Sequence, residues 1–196
     1  MDTLKYIELA KSKDAQRFNL CAVYRDKNHL VATDGHRLHM SNGLPDATPH
    51  FLNGLDAEFP DYTQILPKTK EAGKVEYVHI GSYGKAILRT LKAISKLVET
   101  YGRPHITRWI FENDKPVRIA FQNSDQKELV IEHTIEAMKY QGKQFTIGVN
   151  LSYMIDALSY IIDTSCEIKI WNELSPIRID SLGEGKLTAI VMPCRL

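Results

Sequence analysis

The feature that most narrows the fold is an internal repeat. From Val75 the chain reads as a strand, a long helix and three strands, and then it repeats that order. The first unit comprises Val75–Ile80, a helix over Tyr83–Tyr101 closed by Gly102 and Pro104, and strands at Ile106–Glu112, Pro116–Gln122 and Lys127–Glu136. The second comprises Phe145–Val149, a helix over Leu151–Ile162, and strands at Cys166–Asn172, Pro176–Asp180 and Leu187–Pro193. Two βαβββ units with short connections predict an α+β domain of mostly antiparallel sheet, its helices gathered on one face.

The residues before this repeat read differently. A helix is expected over residues 3–17 with Asp2 or Thr3 as its N-cap, then a strand over Asn19–Tyr24 and a polar turn at Arg25–Asn28. His29–Thr33 and His36–Met40 flank Asp34-Gly35, which predicts a hairpin with a two-residue turn, because such turns need positive φ. Residues 42–58 look loop-rich, and Phe59-Pro60-Asp61-Tyr62 with Pro67 marks an extended connector. The charged, glycine-containing run Lys68–Lys74 is the natural boundary. The expected organisation is therefore an abbreviated unit over 1–74 and a complete domain over 75–196.

Charge decides little globally and more locally. With 25 Lys and Arg against 24 Asp and Glu, no overall field selects a polyanion or a membrane surface. The helix at 83–101 is the exception. At roughly 100° per residue, Lys85, Arg89, Lys92 and Lys96 fall within a face about 60° wide. Ile87, Leu91, Ile94 and Val98 fall opposite. Four cations so spaced suit sequence-independent contact with phosphates, and equally suit a plain solvated face. The second helix offers no such stripe.

Other classes find little support. Asp34, His36, Arg37 and His39 suggest a hydrolytic centre at first sight, but residues three apart on a strand face opposite ways. No second carboxylate or histidine cluster completes a metal shell, no phosphate loop occurs, and no nucleophile motif is present. No cofactor and no catalysis are expected. Cys21, Cys166 and Cys194 are scattered and odd in number, which points to free thiols and a reducing cytoplasm. Met1–Lys5 lacks the features of a signal peptide, and no apolar run approaches the roughly 20 residues of a membrane span.

Four separated segments carry a resemblance. Val31-Ala32-Thr33-Asp34-Gly35-His36-Arg37-Leu38 resembles a hallmark of the middle domain of the bacterial beta sliding clamp. Phe59-Pro60-Asp61-Tyr62 with Ile65-Leu66-Pro67 resembles the linker into that clamp's last domain. Asn150-Leu151-Ser152-Tyr153 resembles the opening of the last domain's second helix, and Val191-Met192-Pro193-Cys194-Arg195-Leu196 resembles its Met-Pro-x-Arg-Leu ending. The resemblance implies a DNA-clamp fold of βαβββ units, with sheets outside and helices lining a hole for duplex DNA. It gives the stripe Lys85, Arg89, Lys92 and Lys96 a role in that hole. It also implies a hydrophobic pocket where polymerases and other partners dock short peptides. The matching positions there are Thr33, Gly35, His36, Arg37 and Leu38; Pro60 and Ile65; Asn150 and Tyr153; Leu174 and Pro176; and Ile190, Met192, Pro193, Cys194 and Arg195. The apolar members would seat an anchor side chain, while His36, Arg37, Asn150 and Arg195 would orient the peptide at the rim.

The chain departs from that family in length. A full clamp has three domains and closes as a dimer, whereas here one domain is complete and half of another is present. Self-association to cover open strand edges is expected: three chains if residues 1–74 serve as a whole domain, four if each chain counts as three half-domains. A clamp loader is a further candidate partner, and the short length suits a compact genome such as a phage's. The alternative reading is an adaptor or decoy that keeps the pocket and does not encircle DNA.

Overall fold

The computed structural model describes residues 2–67, 76–80, 83–101, 106–123, 128–161, 165–183 and 186–196. The expected boundary at Lys68–Lys74 lies outside them. Among the described residues there are three α-helices and twelve strands. They are α1 (Thr3–Glu8), β1 (Tyr24–Asp26), β2 (His29–Thr33), β3 (Arg37–Ser41), β4 (His50–Phe51), β5 (Glu76–Ile80), α2 (Gly84–Glu99), β6 (Ile106–Phe111) and β7 (Pro116–Asn123). Then follow β8 (Glu128–Gln141), β9 (Phe145–Asn150), α3 (Leu151–Ile161), β10 (Cys166–Ile170), β11 (Ile177–Ser181) and β12 (Leu187–Val191).

The strands form one sheet in the order β4-β1-β2-β3-β12-β11-β10-β5-β8-β7-β6-β9. The two βαβββ units are therefore interlocked. Strand β5 opens the first unit yet pairs with β10 of the second, and β9 opens the second yet pairs with β6 of the first. Neither half can leave without breaking a ladder of the other. All named pairings are antiparallel, in keeping with the short connections.

The helices share one face, because α1 packs on β2, β3 and α3, while α3 packs on α2 and on β9, β11 and β12. Helix α3 is sandwiched between the other two and buries Leu151, Met154, Ala157, Leu158 and Ile161. Helix α2 buries Ile87, Leu91, Ile94 and Val98 beneath it and leaves Lys85, Arg89, Lys92 and Lys96 exposed, as its 3.6-residue period dictates.

The N-terminal unit joins this domain through its backbone. β3 pairs with β12 over five residues, from Arg37↔Val191 to Leu187↔Ser41. Among the described residues the unit has the form αβββ. In the two-unit part the outer neighbour of β6 is β9. The corresponding place beside β1 is taken by β4, a two-residue strand pairing Tyr24 with Phe51. Strand β4 covers two residues of that edge, and the sheet ends on β4 at one side and on β9 at the other.

Three local expectations are corrected. The helix expected over 3–17 stops at Glu8, because Ser12 and Asp14 turn the chain. Ser12 Oγ accepts the Asp14 N–H, and Asp14 Oδ1 caps a separate 3-10 helix, Ala15–Leu20, which replaces the strand expected from Asn19. Arg25 and Asp26 belong to β1, so the first hairpin turns at Lys27-Asn28, where Lys27 has φ 48°. The second hairpin turns through Asp34–His36 and not through Asp34-Gly35 alone. Only Gly35 takes positive φ, and side chains close the turn: Asp34 Oδ1 accepts from His36 N and Arg37 N, and Thr33 Oγ1 accepts from Gly35 N and donates to Arg37 O.

Candidate functional site

The β2–β3 hairpin, the chain's last residues and the start of α3 converge. Leu38 and Ile190, both fully buried, face each other across the β3–β12 ladder. They share an apolar cluster with Val31, Met40, Phe51, Phe59 and Tyr62, against which Ile65 packs. Beyond the ladder, Met192 N–H donates to His36 O at 2.9 Å and Cys194 N–H donates to Gly148 O at 2.8 Å. The tail therefore passes from the hairpin to β9. Asn150, at the end of β9, caps α3 by accepting from Ser152 N at 3.0 Å. That fixes Tyr153 in the first turn, its ring 6.4 Å from the His36 ring.

Arg37 has a different role from the one read in the sequence. It is only 7% exposed. Its Nε donates to Asp34 Oδ2 at 3.0 Å, its Nη1 pairs with Asp156 of α3, and its Cζ lies 4.5 Å from the centre of the Tyr153 ring. A guanidinium held by two carboxylates and an aromatic face is a fixed, buried part of the site and not a free arm at its rim. Sequence reasoning missed Asp156, which lies on a helix otherwise read as apolar. The Tyr153 hydroxyl is pushed above its ordinary pKa, first by burial and then by Asp34.

The linker motif acts mainly through its aromatic residues. Phe59 stacks on Tyr24 at 4.7 Å, and Tyr62 OH donates to Asp26 Oδ2 at 2.7 Å. Both contacts fasten the linker to β1 beneath the cluster, while Pro60 is exposed. Leu174 is 79% exposed in the turn between β10 and β11, and no hydrogen bond or ring contact among the described residues joins it or Pro176 to the hairpin. Pro193 and Cys194 are half-buried and Arg195 is exposed. Gly148 was also missed, although a lone glycine in a strand is a signal of close backbone approach.

His36 is exposed and His39 is fully buried, so the two face opposite ways as strand geometry requires. Among the described residues no three metal-ligating side chains cluster, and no helix is long and apolar enough to cross a membrane. All three cysteines are free thiols.

Interlocked βαβββ units joined edge to edge, with helices on one face, are the architecture of the DNA sliding clamps. The beta subunit of Thermotoga maritima DNA polymerase III superposes on 99% of this chain with a TM-score of 0.79 at 21% identity, using 62% of its own length. The Bacillus subtilis clamp superposes on 99% with a TM-score of 0.78 at 18% identity, again using 62% of its length. In sequence, the family described as "DNA polymerase III beta subunit, C-terminal domain" matches residues 63–195. The chain belongs to the DNA polymerase III beta subunit family. The beta sliding clamp of Salmonella typhimurium is 26% identical over 142 residues, 72% of this chain and 36% of the relative. The chain thus spans little more than a third of that clamp.

Proposed function

We propose that the chain is a DNA sliding clamp: a non-enzymatic processivity factor that encircles duplex DNA as a homo-oligomeric ring of three or four chains and docks partner peptides. The observation that carries the reading is the convergence of the hairpin, the tail and the start of α3 around His36, Tyr153 and Met192, with the cationic face of α2 exposed elsewhere on the helical side. The apolar cluster of Leu38, Ile190 and Ile65 underlies the seat for an anchor side chain, and Met192 supplies an adaptable wall for several partners. DNA polymerase and other proteins carrying clamp-binding peptides are the partners this seat suits, and a clamp loader would open the ring.

Lys85, Arg89, Lys92 and Lys96 supply the phosphate contacts in this reading. They are exposed and attached to a rigid helix, while α3 beside them shows no exposed residue. Reversing all four charges is expected to abolish retention on closed circular duplex and to flatten the salt dependence of binding by a slope of about 3–4. Gel filtration of the protein with nicked and linearised circles measures this, and retention equal to wild type removes α2 from the DNA face.

A fluorescence titration with a peptide carrying a leucine–phenylalanine anchor tests the pocket. Replacing His36 or Met192 by alanine is expected to weaken binding about tenfold, or about 1.4 kcal/mol. Unchanged affinity in both variants removes the pocket from this place.

One observation favours the adaptor or decoy reading. Strand β4 pairs with two residues of the outer edge of β1 and so partly occupies the edge that a second chain would use. Peptide binding by a monomer with no retention on circular DNA selects that reading over the ring.

A further inference from the structure

A groove of about 400 Å³ runs from His36 and Tyr153 along the segment between α1 and the 3-10 helix, and is also lined by Lys11, Lys13, Asp14 and Arg17. Asp34 and Arg37 form its floor. We propose that this groove receives acidic residues flanking the apolar anchor of a docked peptide, so that the chain selects partners whose docking segments are acidic. The inference rests on the pocket reading and adds a charge preference to it.

The distribution of free donors carries the argument. The carboxylates of the floor are consumed internally. Asp34 accepts from two backbone N–H groups and from Arg37 Nε, and Asp156 behind it accepts from Arg37 Nη1. Arg37 is equally consumed and buried. The floor therefore offers neither strong acceptors nor a free cation. The wall is different. Lys13 is exposed and forms no ion pair among the described residues. Arg17 has a half-exposed side chain. Its Nη1 donates to Asp34 O at 3.0 Å, and its Nε lies 3.9 Å from Asp14, too far for a strong pair, so part of its donor capacity is left for a ligand. Lys11 is engaged at 2.8 Å by Glu8, which is not a lining residue. Asp14 is the only carboxylate of the wall, and one of its oxygens caps the 3-10 helix at Gln16 N.

A peptide seated by its anchor between His36 and Met192 brings its neighbouring residues to this wall. A Glu or Asp there meets donors without displacing an existing strong pair, whereas a Lys or Arg meets Lys13 and Arg17. None of the α2 cations lines the groove.

The test uses two peptides with the same anchor, one flanked by two Glu and one by two Gln, titrated against the full chain. At low salt the Glu peptide is expected to bind five- to tenfold more tightly, and the advantage is expected to shrink below twofold at 0.5 M salt. In a Lys13→Glu, Arg17→Glu variant the preference, read as the ratio of the two affinities, is expected to vanish or invert. Circular dichroism and gel filtration show whether that variant is folded. A single Lys13→Gln variant, which disturbs no hydrogen bond, is expected to lose part of the preference. Equal affinity for both peptides overturns the proposal and leaves the pocket standing, whereas failure of the Gln peptide to bind wild type overturns the pocket itself. A loss of duplex affinity in the double variant with the peptide ratio unchanged also overturns it, and assigns the wall to DNA.

Discussion

Replacing Gly148 by alanine is expected to dislodge the C-terminal tail and weaken peptide docking more than any single rim substitution. A Cβ at this position would stand 2.3 Å from Cys194 O, 3.1 Å from Cys194 C and 3.1 Å from Leu196 Cδ2. The first two are backbone atoms, so no rotamer change relieves the contact. The tail has to lift, and the Cys194 N–H bond to Gly148 O goes with it. Overpacking of this kind costs about 1–3 kcal/mol, and a chain of this size loses roughly 2–4 °C of Tm for each kcal/mol. Peptide affinity should fall at least tenfold, since Met192 and Cys194 are held in place by the same run of bonds. Thermal denaturation and the peptide titration measure both effects. A variant ending at Pro193 gives the control. Once the clashing residues are gone, Gly148→Ala should add almost nothing to the cost of truncation, because the two changes act on one contact. An alanine variant with wild-type Tm and affinity would show that the tail does not need its seat on β9.

Mild acid is expected to destabilise the junction between the N-terminal unit and the rest of the chain through His39. This side chain is fully buried on β3, where it pairs opposite Ala189 of β12 and stacks on Tyr6 of α1 at 4.4 Å. Its Nδ1 lies 2.8 Å from Tyr6 O, so that nitrogen carries the proton of the neutral ring, and its Nε2 is buried without a hydrogen-bond partner among the described residues. Burial, reinforced by the charge of Arg37, lowers its pKa from 6.5 to about 4. In the unfolded chain the imidazole gains a proton as pH falls through 6.5, while in the folded chain it gains one only near 4. The unfolded state thus binds more protons over that window, and stability falls as pH drops, by about 3 kcal/mol once pH 4 is reached. Above pH 6.5 both states are neutral and His39 contributes no pH dependence. Urea denaturation at pH 7, 5.5 and 4.5 measures the slope. A His39→Phe variant keeps the stack and removes the titration, so its midpoint should change less with pH than that of wild type. Equal slopes would assign the acid sensitivity to carboxylates instead.

Much of the fold was legible before any coordinates, for a simple reason. The apolar period of α2 places Ile87, Leu91, Ile94 and Val98 inward and its cations outward, and that depends on helix geometry alone. The repeated strand–helix–strand order likewise follows from local pattern. The losses came where short polar side chains compete with the backbone. Ser12 and Asp14 end a helix that periodicity would extend, and Asp34 and Thr33 widen a turn that Asp-Gly would close in two residues. Strand β4 was invisible because two residues have no period. They form a strand only because Tyr24 and Phe59 stand ready to pack on Phe51.

The candidate site divides the same way. The sequence by itself singled out the segments that the fold brings together: the hairpin at 33–38, the linker motif, the start of α3 and the tail. It also determined that the cations of α2 share one face. Only the tertiary structure decided what each residue does there. Arg37 reads as a rim donor in isolation, yet Asp156, 119 residues further on, draws it inward. Lys11, Lys13 and Arg17 fall within the helix expected over 3–17, yet the early end of α1 places them with His36 around one groove. The physical reason is range. Periodicity and turn chemistry act over a few residues and are written locally, whereas ion pairing, burial and backbone clearance depend on which distant segment the sheet brings alongside.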